Sequence, residues 1–136
     1  MFNSLDDKDV LVFDIREDSL DFKLAKDFKL YEFKSSDGYP IVIVHRLLPN
    51  LAQAVRDFLG HGYSPNSAYR SPVHNFNIGG SPKSMHVRGM AIDVPIESRE
   101  EKQKLIAWAR ENKVGGIGVY DTFVHLDLGP QREWDG

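Results

Sequence analysis

Two short segments of the sequence combine an apolar stripe with a chemically different opposite face, and they constrain the fold more than any other feature. Side chains alternate between the two faces of a β-strand, so every second residue shares a face. Over residues 90–94 the even-numbered positions are all apolar, and Asp93 lies on the opposite face. Over residues 123–128 the even-numbered positions are again apolar, and His125 and Asp127 share the other face. The pattern predicts two strands that cover a core on one side and carry chemistry on the other.

Four further elements are predicted before residue 60. β-branched and apolar runs predict three short strands, because such side chains pack well on a pleated sheet. These strands lie at residues 10–15, 30–33 and 41–44. Apolar residues then recur at helical spacing over residues 51–59, with Pro49 near the first turn and Gly60 after the last residue. This period predicts an amphipathic helix.

A second helix is predicted to begin at Ser98. Ser98 and Glu101 have the spacing of a capping box, in which each side chain accepts a hydrogen bond from the other residue's backbone N–H. The apolar stripe of this helix includes Trp108, which is therefore expected in the core. Gly115 and Gly116 are expected to end the helix.

Composition narrows the chemistry that is open to the chain. The sequence has no cysteine, so disulfides and thiolate metal sites are excluded, and any metal ion must be held by His, Asp or Glu. The 136 residues suit one domain, and 41% apolar with 27% charged residues argue against disorder. The formal net charge of -3 gives no general reason to bind nucleic acid or an anionic membrane, so neither is expected as a partner.

Two imidazoles and one carboxylate are candidates to share a metal ion. His86 follows a loop rich in glycine and proline, and Gly89 permits a sharp turn towards the strand that carries Asp93. His125 arrives on the later strand. Three protein ligands leave one coordination position for water, as in catalytic zinc sites, where the pKa of the water falls to about 7. This combination favours a catalytic metal centre over a structural His–Asp pair.

Three ordered blocks of sequence resemble the M15 zinc peptidases, a family that includes D-Ala-D-Ala carboxypeptidases and phage peptidoglycan endopeptidases. The blocks are SAYRSPVHNFNIGG (67–80), SMHVRGMAID (84–93) and GGIGVYDTFVHLDLG (115–129). Trp134 lies where the family often has a terminal tryptophan. The resemblance covers about residues 35–134 and leaves the N-terminal segment 1–34 uncovered. The whole chain, 1–136, is predicted to be a single zinc peptidase domain.

The resemblance implies an α+β fold of the LAS and hedgehog type, with a mostly antiparallel sheet and helices packed on one side. It implies hydrolysis of peptidoglycan stem peptides or cross-bridges, by a carboxypeptidase or an endopeptidase. One zinc ion is implied, with the ligands His86, Asp93 and His125. The residues expected to bind or face the substrate are Arg70, Ser84 and Tyr120. A planar guanidinium suits a substrate carboxylate or carbonyl, which agrees with the role implied for the arginine.

The general base is where the sequence departs from the family pattern. Several M15 enzymes have an acid three residues before the last histidine ligand, and this sequence has Thr122 there. Asp127 is favoured as the catalytic acid, because it lies two residues after His125 on the same strand face, about 6.6 Å along the chain. It could instead orient the histidine. Asp121 is the second candidate if the strand runs straight through it, and Glu133 is the third.

Two other classes of function are compatible with parts of this pattern. The hedgehog signalling domain resembles the same family, so the chain could hold zinc and bind cell-wall peptides with weak or no turnover. Two histidines and one carboxylate also suit the Fe(II) of a non-haem oxygenase. That class needs a further histidine downstream, and none follows His125. Elemental analysis that finds iron after aerobic purification would favour the oxygenase.

The N-terminal residues predict where the protein is made. They lack the basic region and apolar run of a secretory signal, and no apolar stretch is long enough to span a bilayer. The protein is expected to be made soluble in the cytoplasm. It would then act at the cell wall after lysis, after export or as part of a phage particle, as an endolysin-like enzyme. A monomer is expected, with a peptidoglycan peptide as its partner.

Overall fold

Strands outnumber helices in the computed structural model, which describes residues 2–3 and 6–136. The strands are β1 (Val10–Asp14), β2 (Lys23–Ala25), β3 (Phe28–Lys29), β4 (Ile41–His45), β5 (Ala91–Pro95), β6 (Gly116–Val119), β7 (Phe123–Asp127) and β8 (Arg132–Asp135). The helices are α1 (Leu48–Leu59), α2 (Pro72–Asn77) and α3 (Arg99–Glu111), and a short 3-10 helix spans Leu30–Phe33. This mixture confirms the predicted α+β class.

The main sheet has the strand order β5–β7–β6–β8. β7 pairs antiparallel with both β5 and β6, whereas β8 pairs parallel with β6. The parallel pair arises because the chain reverses between β6 and β7 and reverses again before β8. Two smaller antiparallel pairs join β1 with β4 and β2 with β3. The prediction of a mostly antiparallel sheet is confirmed, with one parallel pair at its edge.

The core lies between the main sheet and two of the helices. α1 contacts β4 and β5, and α3 contacts β7. The even-numbered residues of β5 and β7 are fully buried, as their alternation predicts. The opposite face of these strands carries Asp93, His125 and Asp127. Of the helices formed by the described residues, none has the length and apolar character needed to cross a bilayer.

One of the three strands predicted near the N-terminus is a helix instead. The strands predicted at residues 10–15 and 41–44 are confirmed as β1 and β4. The strand predicted at 30–33 is wrong, because this segment is a 3-10 helix. Leu30 and Phe33 are both fully buried. A 3-10 helix places residues three apart on one side, whereas a strand would direct them to opposite sides, so core packing selects the helix.

Both predicted α-helices begin close to the expected positions. The first begins at Leu48, slightly earlier than predicted, with Pro49 in its first turn. It ends at Leu59, and the next residue, Gly60, has a left-handed φ of 76°. The second begins behind Ser98, whose side chain accepts a hydrogen bond from the backbone N–H of Glu101. The local capping signals are therefore enough to locate helix starts in this chain.

The end of α3 and the position of Trp108 differ from the prediction. α3 ends at Glu111, and Lys113 takes the left-handed conformation with φ 53°, so the helix stops before Gly115. Trp108 is half-buried and stacks on Phe58 of α1, with ring centroids 5.6 Å apart. Phe58 is itself exposed. The tryptophan therefore covers the edge of the core, because the contact between the two helices reaches the surface at this point.

Gly89 holds the chain in a tight turn just before β5. Its φ is +70°, which is unfavourable for a residue with a Cβ. Its carbonyl accepts a hydrogen bond from the backbone N–H of His45 at 2.8 Å, which ties the turn to β4. A Cβ on Gly89 would overlap the backbone carbonyl of Ile43. The position requires glycine for two separate reasons, one conformational and one steric.

We expect Gly89→Ala to lower the free energy of unfolding by about 3 kcal/mol, because the left-handed backbone and the overlap with Ile43 act together. Urea denaturation measures this loss. Gly79→Ala is the matched control, since Gly79 has a similar φ of +76° and a Cβ there would meet nothing within 4 Å. The control is expected to lose only about 1 kcal/mol. Equal losses in the two variants would contradict the steric part of this prediction.

Candidate metal centre

Asp93 and His125 lie opposite each other on adjacent strands. They are register partners in the β5–β7 pair, on the face that points away from the core. His86 reaches the same point from the turn that precedes β5. All three side chains are buried, and one ligand atom from each lies within 4.8 Å of the other two. The structure thus brings together the three residues that the sequence predicts as metal ligands.

Backbone hydrogen bonds hold the turn that carries His86. Oγ of Ser84 accepts the backbone N–H of His86 at 3.2 Å. The carbonyl of His86 accepts the backbone N–H groups of Arg70 at 3.1 Å and Gly89 at 3.2 Å. Ser84, which was predicted to bind substrate, therefore also shapes the turn, and it lines the cleft beside His86.

The hydrogen bond of His86 to a carbonyl determines which of its nitrogens faces the cluster. Nδ1 lies 2.7 Å from the backbone carbonyl of Ala68. A carbonyl oxygen only accepts hydrogen bonds, so Nδ1 is the donor. In the neutral ring the lone pair is then on Nε2, which lies 3.2 Å from Oδ1 of Asp93. His86 therefore presents a metal-binding nitrogen to the carboxylate.

His125 has the opposite orientation, for the same physical reason. Its Nε2 lies 2.7 Å from Oδ2 of Asp127, and its Nδ1 lies 3.0 Å from Oδ1 of Asp93. With Nε2 donating to Asp127, the lone pair of the neutral ring is on Nδ1. Burial lowers the pKa of His125, but the hydrogen bonds with Asp127 and Asp93 outweigh it, so the net shift is upward. A cation, either a proton or a metal ion, is therefore favoured between His125 and Asp93.

The donor set fits a divalent metal ion. Two imidazole nitrogens and one carboxylate oxygen converge, and outer hydrogen bonds set the orientation of both rings, as at known zinc sites. Burial raises the pKa of Asp93, but its close contacts with the rings of His125 and His86 more than compensate and leave it well below its usual range. The carboxylate of Asp93 is therefore ionised at neutral pH. Zinc and Fe(II) both suit these atoms.

Asp127 lies behind His125 and is fully buried. Its Oδ2 also accepts from Nη2 of Arg132 at 2.8 Å. Its Oδ1 accepts from Nη1 of Arg132 at 2.9 Å and from the backbone N–H groups of Gly116 at 3.0 Å and Gly129 at 2.9 Å. Burial raises the pKa of Asp127, but the hydrogen bonds from His125 and Arg132 outweigh it and lower the pKa to about 2. The carboxylate is ionised at neutral pH and its lone pairs are engaged.

Two glycines of β6 make room for this arrangement. A Cβ on Gly116 would overlap the carboxylate of Asp127. A Cβ on Gly118 would overlap the indole of Trp134 on β8. Because β6 carries no side chain at either position, Trp134 reaches across it to the ring of His125, with centroids 5.2 Å apart. The small residues of one strand thus allow side chains from both neighbouring strands to meet.

Arg70 lines the cleft with its guanidinium held by a neutral partner. Nη1 donates to Oδ1 of Asn75 at 2.9 Å, and the Asn75 amide donates to the carbonyl of Ser81 at 2.8 Å. A Cβ on Gly80 would overlap the Asn75 amide, so this loop position must stay small. Desolvation lowers the pKa of Arg70, while the charge of Asp93 raises it, and the net shift is downward. Arg70 remains a cation near the three predicted ligands.

Tyr120 also lines the cleft. Its hydroxyl accepts a hydrogen bond from the indole N–H of Trp134 at 3.0 Å. Its ring stacks on Phe123 with centroids 4.5 Å apart and an interplanar angle of 8°. The predicted substrate-facing position of Tyr120 is therefore in the same cleft as Arg70 and Ser84.

The other acids considered as proton carriers lie elsewhere. β7 begins only at Phe123, so the strand does not run straight through Asp121, and the condition for that residue to share the face of His125 is not met. Asp121 is exposed and borders a different depression, together with Thr122. Glu133 forms an ion pair with Arg110 of α3. Of the described acids, only Asp93 and Asp127 line the cleft.

Several residues of the cleft were not predicted from the sequence. The cleft has a volume of about 470 Å³, and its walls include Lys83, Met85 and Arg132. Arg132 and Trp134 are two residues apart, which places them on one face of a strand. That spacing is the signal the sequence offers, but the segment is too short and polar for the spacing to predict a strand. Trp134 lines the cleft and also packs against the ring of His125.

Comparisons with known proteins agree on one family. The family model described as Peptidase M15 matches residues 26–127. The probable peptidoglycan L,D-endopeptidase MepK of Haemophilus influenzae is 31% identical over 133 residues, which cover 85% of this chain and 71% of that protein. The peptidoglycan L,D-endopeptidase MepK of Escherichia coli (strain K12) is 37% identical over 75 residues, which cover 50% of this chain and 41% of that protein. The match thus spans less than half of the Escherichia coli relative.

Proposed function

Because this chain belongs to the M15 peptidase family, we propose that it is a zinc-dependent peptidase that hydrolyses peptide bonds in bacterial peptidoglycan. The substrate class follows from the relatives, whose names describe peptidoglycan endopeptidases. The reaction class follows from the family and from the cleft, which is lined by cationic side chains, hydroxyl groups and three side chains that could hold a metal ion.

The convergence of three ligand atoms carries the zinc part of the proposal. Nε2 of His86, Nδ1 of His125 and a carboxylate oxygen of Asp93 face one another, and each imidazole donates its other N–H to a fixed acceptor. Three ligands of this kind leave a coordination position for water or substrate. When bound, the ion would supply a Lewis acid that polarises the scissile carbonyl and activates a water molecule.

We assign substrate orientation to Arg70, with Ser84 as a second contact. The guanidinium of Arg70 uses one N–H for Asn75, and among the described residues no Asp or Glu forms an ion pair with it. Its remaining N–H groups are available for a carboxylate or carbonyl of the peptide, which a planar guanidinium can bind through two hydrogen bonds. The hydroxyl of Ser84 lies at the edge of the same cleft.

Asp127 is proposed to orient His125 and not to carry protons during the reaction. The carboxylate is fully buried and accepts five hydrogen bonds, so no lone pair is left to take a proton from water. A carboxylate that accepts the N–H of a ligand histidine fixes the ring and increases its basicity. Of the two roles that the sequence leaves open for this residue, the geometry supports the positioning role.

An endopeptidase is proposed over a carboxypeptidase. The relatives are named as L,D-endopeptidases, which suggests a bond between an L-residue and a D-residue inside the peptide. Mass spectrometry of the muropeptides released from purified sacculi tests both the reaction and the bond. Zinc-loaded protein should release new amino termini at an internal L,D bond, and chelator should stop the release until zinc is restored. Release of a terminal D-alanine alone would identify a carboxypeptidase instead.

A zinc-holding binding module is the second candidate. It is favoured by one observation: both cleft carboxylates of the described residues are already engaged, so no free acid is at hand as a general base. Protein with one bound zinc that binds sacculi but releases no new amino termini would support this candidate and reject the peptidase. Metal content by elemental analysis belongs to the same experiment, because iron in place of zinc would point to the oxygenase class.

A further inference from the structure

The reaction proposed above creates negative charge on the oxygen of the scissile carbonyl. Enzymes that hydrolyse peptides stabilise this oxygen with hydrogen-bond donors that are already in place before the reaction. A rigid hydrogen-bond donor in the cleft wall would add to this stabilisation. The hydroxyl of Tyr120, which lines the cleft, is a candidate for this donor.

The hydrogen-bond pattern leaves the hydroxyl proton of Tyr120 available. The indole of Trp134 is only a donor, so the phenol oxygen acts as the acceptor in their 3.0 Å hydrogen bond. Among the described residues, no acceptor lies within hydrogen-bonding distance of the hydroxyl proton of Tyr120. The O–H group can therefore donate to a ligand in the cleft, with its oxygen position already fixed.

Packing on both sides keeps this donor rigid. The phenol ring stacks on Phe123 in a nearly parallel arrangement. The indole of Trp134 contacts both the ring of His125 and the guanidinium of Arg132, which is 5.1 Å from the indole centroid. Gly118 beneath the indole has no side chain that could displace it. Trp134 therefore links the position of the phenol oxygen to that of a predicted metal ligand.

We propose that Tyr120 is a catalytic residue whose hydroxyl donates a hydrogen bond to the scissile carbonyl oxygen, and that Trp134 is its positioning residue. Water that has lost one proton to solvent forms a bond from its oxygen to the carbonyl carbon, and the π electron pair of the C=O bond moves onto the carbonyl oxygen, which then carries the negative charge. The hydrogen bond from Tyr120 strengthens as this charge grows, and the phenol keeps its proton throughout. The inference rests on the proposed peptidase function, because it needs a carbonyl that is attacked in this cleft.

Tyr120→Phe removes the hydroxyl and keeps the ring that stacks on Phe123. We expect the kcat of the zinc-loaded variant to fall by about 100- to 1000-fold, the usual effect of losing one such donor, with KM changed by less than about threefold. Zinc content and melting temperature should stay at the wild-type values. Tyr31→Phe is the matched control, because Tyr31 is an exposed tyrosine away from the cleft, and it should leave kcat unchanged.

Binding of a phosphinate pseudopeptide gives a readout that does not require turnover. Its tetrahedral phosphorus replaces the scissile carbonyl, so one of its oxygens takes the place of the charged oxygen. Calorimetry should show about 100-fold weaker binding of this probe to Tyr120→Phe, and an unchanged affinity for the product peptide. Trp134→Phe should lower kcat and phosphinate affinity by about tenfold without raising KM, since it loosens the donor without removing it.

The outcomes separate this inference from the proposed function. Wild-type protein that cleaves peptidoglycan, together with a Tyr120→Phe variant of equal kcat, overturns the donor role and leaves the peptidase in place. Wild-type protein that binds the phosphinate through Tyr120 but cleaves no peptide overturns the peptidase, and it overturns the catalytic role of Tyr120 while leaving its hydroxyl a role in binding. Wild-type protein that neither binds the phosphinate nor cleaves peptide overturns both.

Discussion

Replacing His86 with alanine is expected to abolish both stoichiometric zinc binding and peptidoglycan hydrolysis. Structural zinc sites share about 10–16 kcal/mol of binding free energy among four ligands, so the loss of one ligand costs about 3 kcal/mol, or a factor of 100 to 1000 in affinity. The loss is not easily compensated, because His86 is buried and Asp93 and His125 are held by their strands. Elemental analysis and muropeptide release measure the two effects on the same sample.

His74→Ala is the matched control for the His86 variant. His74 lies in α2, close in sequence, and its ring hydrogen bonds with Ser36 outside the cleft. It should retain both zinc and activity. Circular dichroism must show that the His86 variant is folded, and His86→Gln provides a second variant of similar size. Hydrolysis by a folded, metal-free His86 variant would reject the metal mechanism.

Asp127→Asn is expected to weaken zinc binding by about 10- to 100-fold, the usual cost of losing the carboxylate behind a ligand histidine. It should also lower the free energy of unfolding by about 3 kcal/mol. An amide cannot accept from His125, from both nitrogens of Arg132 and from two backbone N–H groups at once, and buried donors without acceptors are costly. Competition with a zinc indicator and urea denaturation measure the two losses.

Activity at saturating zinc decides which role Asp127 has. If it only positions His125, kcat should return to within about tenfold of the wild-type value once enough zinc is present. If it transfers the proton, kcat should stay 100-fold or more below that value, since general acid–base catalysis contributes about that much or more. Asp121→Asn is the companion variant, and we expect it to change neither zinc affinity nor kcat, because Asp121 is exposed and lies outside the cleft. Loss of activity in that variant would restore Asp121 as a catalytic candidate.

Strands and helix ends are predicted correctly from the sequence where they depend mainly on neighbouring residues. The alternation in β5 and β7 and the caps at Ser98 and Gly60 each depend on neighbouring residues only, and each appears at or near the expected place. The 3-10 helix at Leu30–Phe33 was missed because two buried side chains three residues apart override the strand propensity of the segment. The conformation of this segment therefore depends on the core residues that pack against Leu30 and Phe33.

The predicted metal centre shows the same contrast between features that local sequence predicts and features that depend on packing. Strand alternation alone places Asp93 and His125 on the strand faces opposite the apolar stripes, and their residue types make both candidates for metal binding. The role of Asp127 remained open between proton carrier and orienting group, because both need the same residue at the same spacing. Its burial and its contact with Arg132 support the orienting role, and neither can be deduced from the distance along the chain.

Residue identity and strand period are local properties, so the sequence alone predicts the types of metal ligand, excludes thiolate chemistry and assigns Asp93 and His125 to one strand face. The side chains that stand behind and beside these predicted ligands depend on the tertiary structure. β8 pairs parallel with β6, and the glycines of β6 let Trp134 cross to His125. That outcome depends on which strands become neighbours in the sheet, and strand order is set by packing of the whole chain and not by any single segment.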